Sequence, residues 1–123
     1  TTNFEWFLET KAGNMPYKGH YSLWPDGVMQ DGVTTQQLDN GTVHTLVGTY
    51  DGTTLTLYRD GNLVGTKSVS DTVEMGDLYL GADAVDASTQ HLDGRLYQVR
   101  LYYSVFDSDE VSMLTEVMEA EAE

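Results

Sequence analysis

His44-Thr45-Leu46-Val47-Gly48-Thr49-Tyr50-Asp51-Gly52-Thr53-Thr54-Leu55-Thr56-Leu57-Tyr58-Arg59-Asp60-Gly61 is the stretch that decides the fold. Residues 44–50 alternate with period two, the repeat of a half-buried strand. Asp51-Gly52 then supplies a turn, because glycine takes positive φ freely and aspartate bonds its own backbone. Residues 54–58 alternate again and place Leu55 and Leu57 on one face. Asp60-Gly61-Asn62 turns the chain once more into Leu63-Val64-Gly65. The pattern predicts a three-strand antiparallel meander with polar outer faces.

Outward from this meander, the same grammar continues. Phe4-Glu5-Trp6-Phe7-Leu8 and Tyr21-Ser22-Leu23-Trp24 read as strands, with a loop over Lys11–Pro16 between them. Pro25-Asp26-Gly27 ends the second strand, and Val28–Gln30 and Val33–Thr35 flank Asp31-Gly32 as a tight hairpin. Downstream, Leu78-Tyr79-Leu80-Gly81 is a further strand, residues 82–90 form a polar loop, and Leu96–Tyr103 is the last long strand. Turn signals at intervals of roughly ten residues predict an all-β sandwich or barrel.

The period changes near the end. Asp107 or Ser108 can cap a helix, with Glu110 in capping-box register to Asp107. Val111, Leu114, Val117 and Met118 are expected on its inner face. Glu119, Glu121 and Glu123 oppose the helix dipole, so the last residues are expected to fray. The expected division is a β-sandwich over residues 1–106, with the helix and acidic tail of the same domain over 107–123.

Charge narrows the function classes. Six Lys plus Arg against 20 Asp plus Glu leave a net charge of −14. Such a chain repels polyanions, so nucleic acid is excluded as a partner. No apolar run approaches the ~20 residues of a spanning helix, so membrane insertion is not expected. The N-terminal residues show no signal-peptide pattern. Self-repulsion at this charge strains a compact fold in dilute buffer, and salt relieves it. Low Lys, abundant Asp and many Thr resemble proteins of salt-loving archaea and their viruses. There is no cysteine, which removes disulfides and thiolate metal sites.

Two stretches resemble the laminin-G-like family of the concanavalin A-like superfamily. The first is 44–61, similar to that family's "strand, Tyr-Asp-Gly, strand, Tyr-x-Asp-Gly" hairpin. The second runs from Leu78-Tyr79-Leu80-Gly81 to Leu92-Asp93-Gly94-Arg95-Leu96-Tyr97-Gln98-Val99-Arg100-Leu101-Tyr102-Tyr103, followed by Phe106-Asp107-Ser108-Asp109-Glu110-Val111. The resemblance implies an all-β, antiparallel two-sheet jelly-roll sandwich with a short C-terminal helix. The chain departs from the family where Tyr97 and Gln98 replace a common acid, and where one or two opening strands would precede Phe4. Without those strands an edge stays open, so the expectation is a fragment, a minimal variant, or a domain whose edge a homo-oligomer or larger assembly covers.

Catalysis is not expected. Glycosidases of this fold class set two carboxylates across a cleft about 5–5.5 Å apart for retention. No Glu-x-Asp-x-Glu run occurs, and Glu5 and Glu9 would stand ~14 Å apart along a strand. His20, His44 and His91 form no metal-type pair and read as surface or half-buried strand residues. Calcium is the one cofactor the resemblance suggests, with Asp83, Asp86 and Asp93 as rim-loop ligands. The same acids also read as solvated loop residues. For a glycan, Tyr17, Tyr21, Trp24, Tyr79, Tyr102 and Tyr103 are candidate platforms, with Trp24 beside Asp26 the first choice, although sandwich aromatics also serve as packing residues. The expected function is therefore a non-catalytic module binding glycan or protein on a secreted, cell-surface or virion protein. The alternative is a structural assembly domain of a virion or surface layer.

Overall fold

The structure, a computed structural model, describes residues 5–11, 18–24, 32–38, 41–68 and 95–121. Six strands and one helix lie within them: β1 (Glu5–Lys11), β2 (Lys18–Trp24), β3 (Val33–Gln37), β4 (Leu46–Tyr50), β5 (Thr54–Arg59), β6 (Asn62–Ser68) and α1 (Ser108–Glu121). The strands form two three-stranded sheets in the orders β1-β2-β3 and β4-β5-β6. Every pairing is antiparallel. No described helix is long and apolar enough to cross a membrane.

The central meander forms as its sequence predicts. Leu46 pairs with Arg59 and Tyr50 with Leu55, closing a loop over residues 51–54. Asp51 Oδ1 holds that loop by accepting from Thr53 N (2.9 Å), Thr54 N (2.8 Å) and Thr53 Oγ1 (3.0 Å). These bonds keep the Asp51 carboxyl below its ordinary value of 3.8, the Thr53 amide contributing most. The second turn has two central residues, Asp60 and Gly61, with φ of 53° and 84°. Positive φ at both is the type I′ signature, whose twist matches the flanking strands. Aspartate tolerates this region and glycine adopts it freely.

Leu55 and Leu57 are fully buried, and Val33 and Tyr58 nearly so. Fully burying a leucine side chain is worth roughly 1.5–3 kcal/mol, so these positions carry the meander. Across the core, β3 lies against β6 and β5. At Gly65 an added Cβ would sit 3.3 Å from Val33 Cγ1, tighter than ordinary contact. A side chain there would require Val33 to give way by a few tenths of an ångström.

Several local expectations change. Val33–Gln37 pairs with β2, while Val28–Gln30, expected as its hairpin partner, lies outside the described residues. Leu96–Tyr103, expected as the last strand, pairs with no strand among the described residues. Alternation makes a segment fit to be a strand, but only a backbone ladder makes it one. Here the segment's polar side chains bond the helix instead. Leu78–Gly81 lies outside the described residues.

The helix begins with the expected reciprocal cap. Asp107 Oδ1 accepts from Glu110 N at 2.9 Å, and Glu110 Oε1 accepts from Asp107 N at 3.2 Å. Val111 is fully buried and Thr115 nearly so, whereas Val117 is exposed. At 100° per residue Val117 stands about 120° round from Val111, while Thr115 and Met118 lie close to the Val111 line. Thr115 satisfies its buried hydroxyl by donating to Val111 O at 2.8 Å. Its methyl faces Gly61, so α1 seats on the β5–β6 turn.

Candidate functional site

The most connected polar cluster surrounds that same turn. Asp60 leaves β5 in the left-handed region, which aims its carboxylate back toward the start of β4. Antiparallel register places Thr45 opposite it, and Asp60 N donates to Thr45 O at 2.8 Å. In return Asp60 Oδ1 accepts from Thr45 N at 2.9 Å. Asp60 Oδ2 lies 2.7 Å from His44 Nδ1. A carboxylate only accepts, so in the neutral ring the proton sits on Nδ1. Nε2 then accepts, with Thr42 Oγ1 at 3.1 Å and Arg59 Nη2 at 3.5 Å.

Thr42, His44 and Asp60 thus form a hydroxyl–imidazole–carboxylate chain. A general base needs the Nε2 lone pair for the hydroxyl proton. Here the Arg59 guanidinium, a pure donor, shares that lone pair, so the geometry suits a positional lock better than a proton relay. The lock joins the residues before β4, the β5–β6 turn and, through Gly61, helix α1.

A second cluster lies at the other end of the helix. Glu121 Oε2 accepts from Gln98 Nε2 at 2.6 Å and from Arg100 Nη2 at 2.7 Å. Gln98, then Arg100, hold the Glu121 carboxyl below its ordinary value of 4.5. Tyr102, then Glu121, raise the Arg100 guanidinium above its already high ordinary value. Helix α1 runs to Glu121, whose ion pair with Arg100 acts against the repulsion of its carboxylate by the helix dipole. The ring of Tyr102 also rests on Phe106, with centroids 4.8 Å apart.

Of the residues singled out from sequence, Trp24 closes β2 opposite Glu5. Tyr17 and Asp26 lie outside the described residues, as do the calcium candidates Asp83, Asp86 and Asp93. Tyr102 and Tyr103 are exposed, Tyr103 at 93%. Among the described residues no three His, Asp or Glu side chains converge to hold a metal ion. The Asp60–His44 link was missed because the residues are 16 apart, although counting back from the Asp51 loop puts residue 45 opposite 60. No local sequence pattern connects Gln98 with Glu121, 23 residues away.

The sequence pattern of a laminin-G-type family, described as the concanavalin A-like lectin/glucanases superfamily, matches residues 2–112. The chain belongs to this family. Membership in the concanavalin A-like superfamily fits the antiparallel sheets of the described residues. A similar solved structure is that of an S-layer domain-containing protein from Clostridium thermocellum, at 20% identity and a TM-score of 0.56. The alignment covers 94% of this chain and 64% of that one, and the likeness is one of fold. No curated protein sequence matches the chain.

Proposed function

We propose that this concanavalin A-like domain is a non-catalytic module of an extracellular surface protein, working through contacts with another protein chain, a second copy first. The observation that carries the reading is the apolar row along residues 96–105. Leu96, Tyr97, Val99, Leu101 and Tyr103 are all 45% exposed or more. Contiguous exposed apolar side chains of this kind mark interaction surfaces. The solved structure with the similar fold is described as that of an S-layer domain-containing protein, which fits the same reading. A non-catalytic role is supported by the absence of an alternating carboxylate run in the sequence and by the Arg59 contact on His44 Nε2.

Light scattering across a concentration series, in dilute buffer and at molar salt, tests this. Salt should promote association, because screening at ~3 Å removes the repulsion between chains of charge −14. Leu101→Asp should return the chain to monomer. A monomer at every salt and concentration sinks the reading. It would favour glycan recognition, for which the specific observation is the almost fully exposed Tyr103 ring. A glycan array in the same buffers, with Tyr103→Ala as control, then becomes the deciding measurement.

A further inference from the structure

Glu121 ends α1, where a carboxylate meets the negative end of the helix dipole. Gln98 and Arg100 reach it from the segment before the helix, at 2.6 and 2.7 Å on the same oxygen. Gln98 does two jobs at once. Its Nε2 donates to Glu121, and its Oε1 accepts from Arg100 Nε at 2.8 Å. Arg100 Nη1 completes the set by donating to Tyr102 OH at 3.4 Å. A glutamate at 98 would keep the Arg100 bond but would turn a second carboxylate on Glu121.

Among the described residues, the charged or titratable groups acting on this cluster are its own members and Tyr102. Residues 95–105 pair with no strand among the described residues, and their apolar side chains are largely exposed. The polar cluster is therefore the described tie between this segment and the last turn of the helix.

We propose that Gln98, Arg100 and Glu121 form a salt-sensitive latch that clips segment 95–105 onto the end of α1, so that ionic strength sets how firmly the segment is held. Arg100 and Glu121 are both solvent-accessible. Screening therefore acts on them directly, the Debye length shrinking from ~10 Å at 0.1 M to ~3 Å at 1 M salt. Exposed ion pairs are weak, which is the scale on which salt can shift a population.

Hydrogen exchange on the full chain at neutral pH tests the latch. The backbone amides of residues 118–121 are read against those of 112–115 in the same helix. Gln98→Glu should speed exchange in the last turn several-fold and leave 112–115 unchanged. The exchanged pair Gln98→Glu/Glu121→Gln restores one amide and one carboxylate, and should restore wild-type protection. At 1 M salt the gap between wild type and Gln98→Glu should close. Spin labels at Val99→Cys and Met113→Cys, clean in a chain without cysteine, should give one narrow distance in dilute buffer and a broad one at 1 M. Equal last-turn exchange in wild type and Gln98→Glu would overturn the proposal. So would a double variant as unprotected as the single one, equal acceleration of both turns, or a spin-label distance indifferent to salt.

Discussion

His44 Nδ1 and Asp60 Oδ2 stand 2.7 Å apart across 16 residues of sequence, and the same carboxylate holds the Thr45 amide at 2.9 Å. One side chain thereby closes both the entry to β4 and the exit from β5. Asp60→Ala removes both bonds and the left-handed preference together. It should cost about 1–3 kcal/mol in urea unfolding, the range for charged hydrogen bonds. Asp60→Asn keeps an acceptor for Thr45 N and the turn conformation, and should cost less. Equal losses for the two variants would show that the carboxylate geometry is not what holds the turn.

Gly65 lies directly against Val33 across the two sheets, so these positions should behave as a coupled pair. Gly65→Ala inserts a methyl 3.3 Å from Val33 Cγ1 and should destabilise by about 1–3 kcal/mol through overpacking. In a Val33→Ala background the same change should cost clearly less, since the clashing methyl is gone. A thermal-unfolding double-mutant cycle reads the coupling, and simple additivity would contradict it.

Leu57 and Tyr103 should separate core from surface. Leu57→Ala empties a fully buried position and should lose about 2–5 kcal/mol. Tyr103→Ala removes a ring that is 93% exposed and should change stability by no more than about 0.5 kcal/mol. Denaturant midpoints at a common slope provide the comparison.

The helix cap offers a smaller, local effect. Asp107→Ala removes the acceptor for Glu110 N and should cost about 0.5–2 kcal/mol. Circular dichroism with thermal melting should show the loss. Glu110→Ala breaks the longer 3.2 Å return bond and should cost less.

Acid should weaken the Asp51 loop. Its carboxyl is depressed in the folded chain by the Thr53 and Thr54 amides and the Thr53 hydroxyl. The folded state therefore binds fewer protons there than the unfolded state. Its contribution is complete above the ordinary value of 3.8 and is lost as pH falls through the lower, folded value. Glu121 acts in the same direction, starting from 4.5. Melting temperatures measured from pH 6 down to 2 should fall less steeply for Asp51→Asn than for wild type.

What the sequence determined by itself was local. Alternation about Leu55 and Leu57, the Asp51-Gly52 and Asp60-Gly61 turns, and the Asp107–Glu110 cap all act within a few residues. Local sterics and hydrogen bonding are enough to specify them, and order and spacing were enough to show the family resemblance. Tertiary structure decided what joins distant residues. It set the approach of Gly65 to Val33, the closure of His44 on Asp60, and the attachment of Gln98 and Arg100 to Glu121. It also left Leu96–Tyr103 without a strand partner among the described residues, and Val117 exposed. A period-two run becomes a strand only when another backbone pairs with it, and a helix face is buried only where a neighbour covers it. Both conditions belong to the packed molecule, because they depend on which distant segments come to lie beside these residues.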